Sequence, residues 1–160
     1  MSATRGTPWL DEVEMHAWRS LLRAHARVIA RLDAELQASQ GISVTDYGVL
    51  VQLSEEEDGR MRMSELADHL LLSPSGLTRR LDGLVAAGMV ERHRCPTDRR
   101  GAFAVLTPAG LARLQAAAPD HVDQVRRHFV DRLSRKQLEA LADALDKVSL
   151  DKVTAESSCP

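Results

Sequence analysis

A short stretch in the middle of the chain has residue types suited to approaching a negatively charged polymer. It opens with Ser73, a residue type that caps helices, and Pro74, a type favoured at the first helical position. Ser75 and Gly76 follow, and their small size lets another molecule approach the backbone closely. Because the free amide groups at a helix start attract phosphate, this stretch predicts a helix whose first turn faces a polyanion.

The next residues of the same helix, Thr78, Arg79 and Arg80, carry longer polar side chains. Thr78 and Arg79 are of types that reach base edges, and an arginine can bind guanine through two parallel hydrogen bonds. Arg80 adds a second positive charge beside Arg79. The pattern therefore predicts a helix that reads the major groove of duplex DNA.

The neighbouring elements form the frame that such a helix needs. A short helix capped by Ser64 is predicted to come before it, with Leu66, Ala67, Leu70 and Leu71 facing inward. Gly88 is predicted to end the reading helix in a left-handed conformation. The helix has an apolar stripe of Leu77, Leu81, Leu84 and Val85. Two alternating segments, VERHR and AFAVLT, flank the turn-rich CPTDRRG, which predicts an antiparallel hairpin with Arg99 and Arg100 near its tip. Two helices followed by such a hairpin are a winged helix-turn-helix.

Longer helical patterns surround this unit. One runs from Leu10 to Ala38, and a second, from Asp46 to Glu56, is capped by Ser43 and turns Tyr47, Val49, Leu50 and Leu53 inward. A fifth helix begins with Thr107 as its cap, and Pro119 is expected to kink or break it. A capping box of Ser134 and Gln137 opens the last helix. The fold class is therefore mainly α.

Composition and charge narrow the class of protein. The 160 residues suit one domain, and no apolar run reaches the roughly 20 residues of a membrane span. The start of the chain has no secretory signal, so we expect a cytoplasmic protein with no membrane partner. Net charge is -2, yet residues 60–101 hold eight arginines against five acids, which makes that window +3. Within it, Arg60, Arg62 and Arg94 are candidates for phosphate contacts, which add affinity but no sequence information.

The residues from Ser64 to Leu114 resemble the core of the MarR family of bacterial transcription regulators. The cues are SELA at 64–67, LTR at 77–79, GMV at 88–90, DRR at 98–100 and LTPAG at 106–110. The resemblance implies a homodimer whose first and last helices interlock and whose two winged lobes bind a palindromic operator. It also implies release from DNA by a small, aromatic or anionic ligand. Within the resemblance, Asp98 pairs with Arg100 and stiffens the wing, which leaves Arg99 as the better groove probe.

Together, pattern and resemblance divide the chain. Residues 1–9 are expected to be flexible, 10–150 to form one domain, and 151–160 to be a disordered tail. Inside the domain, 59–107 is the DNA-binding lobe, and 10–40 and 108–150 are the dimerisation helices. The predicted DNA-binding residues are Ser64, Ser73, Pro74, Ser75, Gly76, Thr78, Arg79, Arg80, Arg94, Arg99 and Arg100.

Candidate ligand-binding residues are fewer and have competing interpretations. Trp18 and Tyr47 could line an aromatic pocket between dimer platform and lobe, although core packing is the commoner role of such residues. His16 and Arg19 are further candidates. Arg19 begins a stripe that continues with Arg23, Arg27 and Arg31; it suits an anion site or, more commonly, a solvated helix face.

Other chemistries find less support in the sequence. Cys95 lies beside Arg94, and a nearby cation can activate a thiol, so an oxidant-sensing variant of the same fold is an alternative. A winged-helix module that binds an acidic protein is another. No spacing typical of a metal site, phosphate loop or catalytic nucleophile occurs, so we expect no catalytic residue, no metal and no cofactor.

Overall fold

The computed structural model describes residues 8–94 and 101–148. The expectations for the two ends of the chain, and for Cys95, Arg99 and Arg100, concern residues outside these ranges. The described residues form the helices α1 (Glu12–Gln40), α2 (Val44–Glu55), α3 (Met63–His69), α4 (Pro74–Ala86), α5 (Pro108–His128) and α6 (Arg135–Val148), with a 3-10 turn at Val130–Arg132. The strands are β1 (Arg60–Arg62), β2 (Val90–Arg94) and β3 (Ala102–Leu106).

Polar side chains set most of the helix starts as the sequence predicts. The hydroxyls of Ser43, Ser73 and Thr107 each accept a hydrogen bond from the backbone N–H three residues later, at 3.0 to 3.1 Å. Ser134 and Gln137 form the predicted capping box, in which the Gln137 side chain accepts from the Ser134 N–H at 2.9 Å. These bonds satisfy amide groups that a helix start leaves without partners.

The wing is a three-stranded antiparallel sheet in the order β1–β3–β2. The hairpin of β2 and β3 confirms the prediction and pairs Val90 with Leu106 at one end and Arg94 with Ala102 at the other. The sequence analysis did not predict β1, whose Arg60 pairs with Val105. Since this third strand joins the chain just before α3 to the far side of the hairpin, it fixes the wing to the helix-turn-helix.

One continuous core joins the winged lobe to the longer helices. Leu50 and Leu53 of α2, Leu66 of α3 and Leu81 of α4 are all fully buried. Leu36 near the end of α1 is also fully buried in the same cluster. The end of α1 is therefore anchored on the lobe, and it ends at Gly41, which adopts the left-handed conformation with a φ of 63°.

The turn between α3 and α4 differs from the prediction. Ser64 is not the cap of α3, because the helix begins one residue earlier, directly after β1, and Ser64 lies exposed in its first turn. Leu71 does not face the core but is 92% exposed with a φ of 53°, since the chain must reverse here in a left-handed conformation. Val85, predicted to be inward, is 38% exposed at the edge of the α4 stripe.

Helix α5 continues through Pro119 from Pro108 to His128, so the proline does not break it. Proline removes one helix hydrogen bond and crowds the carbonyl four residues earlier, here that of Gln115. Both Gln115 and Pro119 are exposed, so water can bind the carbonyl that the proline leaves unpaired.

Large parts of α1 and α6 are not buried by other residues in the described part of the chain. In α1, only Leu32 and Leu36 are buried, while Trp18 is 51% and Leu22 is 50% exposed. No residue of α6 is buried, although its apolar residues share one face. Despite these apolar faces, no helix in residues 8–94 and 101–148 has the length and hydrophobicity needed to span a bilayer.

Candidate nucleic-acid interface

The first turn of α4 is an exposed surface with a fixed backbone. The Ser73 hydroxyl accepts from the Gly76 N–H at 3.1 Å and lies 3.2 Å from the Ser75 hydroxyl. A β-carbon at position 76 would lie only 3.0 Å from the Ser73 hydroxyl oxygen. Glycine at this position therefore avoids crowding the capping hydroxyl, and it also leaves room for another molecule to approach the backbone. Ser73, Pro74 and Ser75 are exposed, which leaves this helix start open to a ligand.

The three longer side chains of the predicted reading face have different surroundings. The Thr78 hydroxyl donates to the Pro74 carbonyl at 2.8 Å, which fixes the rotamer and leaves its methyl group and oxygen lone pair facing outward. Arg79 is exposed and makes no hydrogen bond or ion pair in the described part of the chain. Arg80 instead reaches back to α2, where its Nη1 lies 3.8 Å from Asp46 and 3.5 Å from the Ser43 hydroxyl. Arg79 is therefore the arginine of α4 that is free to contact a ligand.

Arg92 of β2 connects the wing to α4, a contact that the sequence analysis missed. Its Nη1 lies 2.8 Å from Oδ1 of Asp82, and its Nη2 donates to the Thr78 carbonyl at 2.9 Å. The two bonds join the strand to consecutive turns of the helix. The sequence shows only that an acid and an arginine occur in these elements. The charge count over residues 60–101 sets the two against each other and does not show that they are in contact.

Further arginines line the sheet beside the helix. The guanidinium groups of Arg60 and Arg62 each lie 5.2 Å from the centre of the Phe103 ring, a distance typical of cation–π contacts. Arg94 is exposed at the end of β2. Arg60 also pairs with Asp58, whose Oδ2 lies 2.5 Å from its Nε, so part of its charge is compensated. These side chains lie on the same winged lobe as the exposed first turn of α4.

The four candidate ligand residues do not share one site. Tyr47 is 8% exposed and packs on the ring of His121, with 4.4 Å between ring centres. His16 and Arg19 line a shallow groove along α1 together with Asp11, Glu12 and Arg23, and neither Trp18 nor Tyr47 is part of its lining. Tyr47 is thus a core residue of the lobe, as the commoner interpretation held.

Burial changes the titration of the two stacked rings. It raises the pKa of the Tyr47 phenol and lowers the pKa of the His121 imidazole, because a charged ring loses hydration there. The buried Nδ1 atom of His121 has no hydrogen-bond partner in the described structure. A neutral imidazole is therefore the form that this position favours.

Polar contacts join α1 to α5 through the acidic side chains of Glu35 and Asp120. Glu35 contacts Nε2 of His128 at 2.6 Å and Nη1 of Arg127 at 3.3 Å. Asp120 accepts from Nε2 of Gln40 at 2.6 Å. Within residues 8–94 and 101–148, no group of three histidine, cysteine or acidic side chains is arranged to hold a metal ion.

A helix-turn-helix followed by a small antiparallel sheet, with a free arginine on the exposed face of the second helix, defines a winged-helix DNA-binding protein. Residues 40–101 match the sequence model of the MarR family. The chain is 42% identical to AbsC, a MarR family transcriptional regulator from Streptomyces coelicolor, and superposes on it with a TM-score of 0.81 over 89% of this chain and 96% of AbsC. The chain therefore belongs to the MarR family of transcriptional regulators.

Two further relatives are informative. Sco3205, a MarR family transcriptional regulator from Streptomyces coelicolor solved in complex with DNA, is 38% identical, with a TM-score of 0.82 over 88% of this chain and 92% of Sco3205. The transcriptional repressor YetL of Bacillus subtilis is 29% identical over 118 residues, which are 72% of this chain and 71% of YetL.

Proposed function

We propose that the protein is a cytoplasmic, homodimeric repressor that binds a palindromic operator and is released from it by a small aromatic or anionic ligand. The observation that carries the DNA-binding part is the exposed first turn of α4 beside Arg79, which has no ion pair within residues 8–94 and 101–148. Pro74 has no N–H, and the Gly76 and Leu77 N–H groups bond to Ser73, so the Ser75 N–H is the amide of this turn that we propose for a phosphate contact. Arg79 is proposed to contact a base edge. Ser64, Ser75 and Thr78 are proposed to contact the same groove.

The wing is proposed to add contacts on either side of this helix. Arg94 lies at the end of β2, from which the chain continues towards Arg99 and Arg100. In the proposal, Arg99 enters the adjacent minor groove, whose narrow tracts concentrate negative potential. Arg94, Arg60 and Arg62 neutralise phosphates and contribute salt-dependent affinity.

Dimerisation is supported by the apolar faces that one copy leaves uncovered. Trp18, Leu22 and Ile29 follow one another along one face of α1, and each is at least 40% exposed. The apolar face of α6 is only half-buried and ends in the exposed Val148, and α5 adds the exposed Val122 and Phe129. Fully burying one such side chain stabilises an assembly by about 1.5–3 kcal/mol, so a second copy that covers these faces is strongly favoured.

Dimer symmetry would give the DNA site its form. Two copies of α4 related by a two-fold axis would read two inverted half-sites, about 34 Å apart for one turn of duplex. A ligand can release the dimer only if it binds more tightly to a conformer in which this spacing no longer matches. Repression is the role in the name of the relative YetL, and the groove that contains His16 and Arg19 is the proposed place for an anionic ligand.

Selection of bound duplexes from a random pool tests the DNA-binding proposal. The expected result is enrichment of inverted repeats, with binding that weakens steeply as salt rises, because phosphate contacts release counterions. Failure to enrich any duplex would refute DNA reading by this protein. Binding to an acidic protein that duplex DNA does not displace would instead favour the protein-interaction alternative.

Sedimentation of two charge variants tests the dimer. Leu22→Glu places a charge on the proposed dimer face of α1, and it is expected to shift the protein to monomers. Leu71→Glu is the matched control, because Leu71 is 92% exposed but lies in the turn before α4, away from α1. A monomeric wild type, or two variants with the same dimer content, would contradict the proposed interface.

A further inference from the structure

We propose that Arg92 is a positioning residue for DNA recognition, which acts by holding Asp82 away from Arg79. This inference rests on the proposed function, because it concerns how Arg79 is kept available to DNA. In this arrangement, a strand of the wing controls the charge on the reading face of α4 without itself contacting a base.

Both terminal nitrogens of the Arg92 side chain bind groups of the same helix, α4. Its Nη1 binds the Asp82 carboxylate at 2.8 Å and its Nη2 binds the Thr78 carbonyl at 2.9 Å. The Arg92 side chain is 33% exposed, whereas that of Asp82 is 61% exposed. The planar guanidinium makes both bonds at once, so the carboxylate is held in one orientation on the wing side of α4.

Asp82 is otherwise well placed to capture Arg79. The two residues are three apart in α4, a spacing at which helix side chains are neighbours with about 5–6 Å between their β-carbons. Arg79 has no ion pair in the described part of the chain, and the nearby Arg80 is directed towards Asp46. With Arg92 absent, Arg79 would be the cation nearest to Asp82 along the helix.

The loss of Arg92 would therefore act on DNA binding in two ways. Asp82 would pair with Arg79 and compete with the base edge for its guanidinium group. Removing Arg92 would also lower the net charge of this face by one, so that the face would attract phosphates less strongly. The first effect lowers the preference for the cognate sequence, and the second weakens binding to every duplex.

The test compares binding to the selected duplex with binding to a scrambled one, by fluorescence anisotropy at constant salt. Arg92→Ala is expected to reduce the preference for the selected duplex about tenfold, near the lower end of the value of one bidentate arginine–guanine contact. Adding Asp82→Asn is expected to restore that preference to within about threefold, because the competing carboxylate is gone. Asp82→Asn alone is expected to leave it near the wild-type value.

Two further variants separate positioning from a purely structural role. Arg92→Gln keeps the aliphatic part of the side chain but removes the charge that holds the carboxylate. It should therefore lose the preference for the selected duplex as Arg92→Ala does, and it provides the test if Arg92→Ala does not fold. In an Arg79→Ala background, Arg92→Gln is expected to cause no further loss of sequence preference. Arg94→Ala is the matched control, because Arg94 lies on the same strand and face as Arg92. Any loss of DNA binding in Arg94→Ala should not be restored by Asp82→Asn.

The inference is overturned if the wild type prefers the selected duplex and Arg92→Gln does not change that preference. It is also overturned if Asp82→Asn fails to restore an impaired Arg92→Gln protein, since Arg92 then acts only by joining strand and helix. If the wild type prefers no duplex at all, the proposed function fails and the inference fails with it.

Discussion

Replacing Gly110 by alanine should destabilise the fold at the point where α5 meets the wing. A β-carbon at position 110 would lie 2.1 Å from the Met89 carbonyl oxygen and 2.9 Å from Cδ1 of Leu106. Real β-carbons do not approach oxygen so closely, so the start of α5 must move by about 1 Å, at a packing cost of about 1–3 kcal/mol. The motion also strains two hydrogen bonds, from the Thr107 N–H to Met89 and from the Thr107 hydroxyl to Gly88.

These terms give the expected size of the effect. Each strained bond costs up to about 1 kcal/mol, and alanine returns up to about 1 kcal/mol in helix propensity. With each term at the middle of its range, the free energy of unfolding should fall by about 2–3 kcal/mol. Urea unfolding followed by circular dichroism measures this change, at fixed protein concentration because the stability of the proposed dimer would depend on concentration.

Gly83→Ala is the matched control for this prediction. Gly83 is exposed in the middle of α4, and a β-carbon there would meet nothing within 4 Å. The same chemical change should then stabilise the protein by up to about 1 kcal/mol. The reasoning is refuted if Gly110→Ala is as stable as the wild type while Gly83→Ala shows its expected gain.

Two other variants test the strained turn and the buried imidazole. Leu71→Gly should raise the free energy of unfolding, measured by urea titration, by about 0.5–1 kcal/mol. Glycine removes a left-handed strain of about 1–2 kcal/mol, but part of this gain is lost because glycine makes the unfolded chain more flexible. Leu71→Ala should give no such gain, and a destabilised glycine variant would contradict the assigned strain. Since burial lowers the pKa of His121, the unfolded chain binds the proton more readily, and wild-type stability should fall as pH drops below about 6.5. The free energy of unfolding of His121→Phe should fall less than that of the wild type over this pH range. If the two proteins lose the same free energy of unfolding as pH falls, burial of His121 is not the cause of the pH dependence.

Helix starts were predictable because their determinants are local. Ser43, Ser73 and Thr107 each cap the helix that follows within one turn, and each was predicted from its own neighbours in sequence. The hairpin of β2 and β3 was predictable for the same reason, since its alternating segments flank one turn. The family resemblance then gave the arrangement of these elements.

The features that were missed depend on contacts between distant parts of the chain. Strand β1 has only three residues, and it is a strand because Arg60 pairs with Val105, a residue 45 positions later. The exposure of Leu71 follows from how α3 and α4 must cross, which local apolar patterning does not encode. Prediction therefore succeeded where one turn of chain decides the structure and failed where packing decides it.

The candidate site shows the same division. The sequence predicted that Arg79 reaches a base edge and that Arg80 adds charge beside it. In the structure Asp46 of α2 contacts Arg80, whereas Arg79 has no ion pair in the described part of the chain. Which of the two arginines has no ion pair among the described residues depends on the contact between Arg80 and the start of α2, and the sequence of α4 alone does not encode that contact. The bond from Arg92 to Asp82 is of the same kind, because strand and helix meet only in the folded lobe.

The most direct test of the account is a selection from random duplexes, run in parallel with the wild type and Arg79→Ala. The account predicts that the wild type enriches an inverted repeat with half-sites one helical turn apart, and that Arg79→Ala loses preference at one base pair in each half-site at a cost of about 1–3 kcal/mol. It is contradicted if the wild type enriches no inverted repeat, or if Arg79→Ala weakens all duplexes equally.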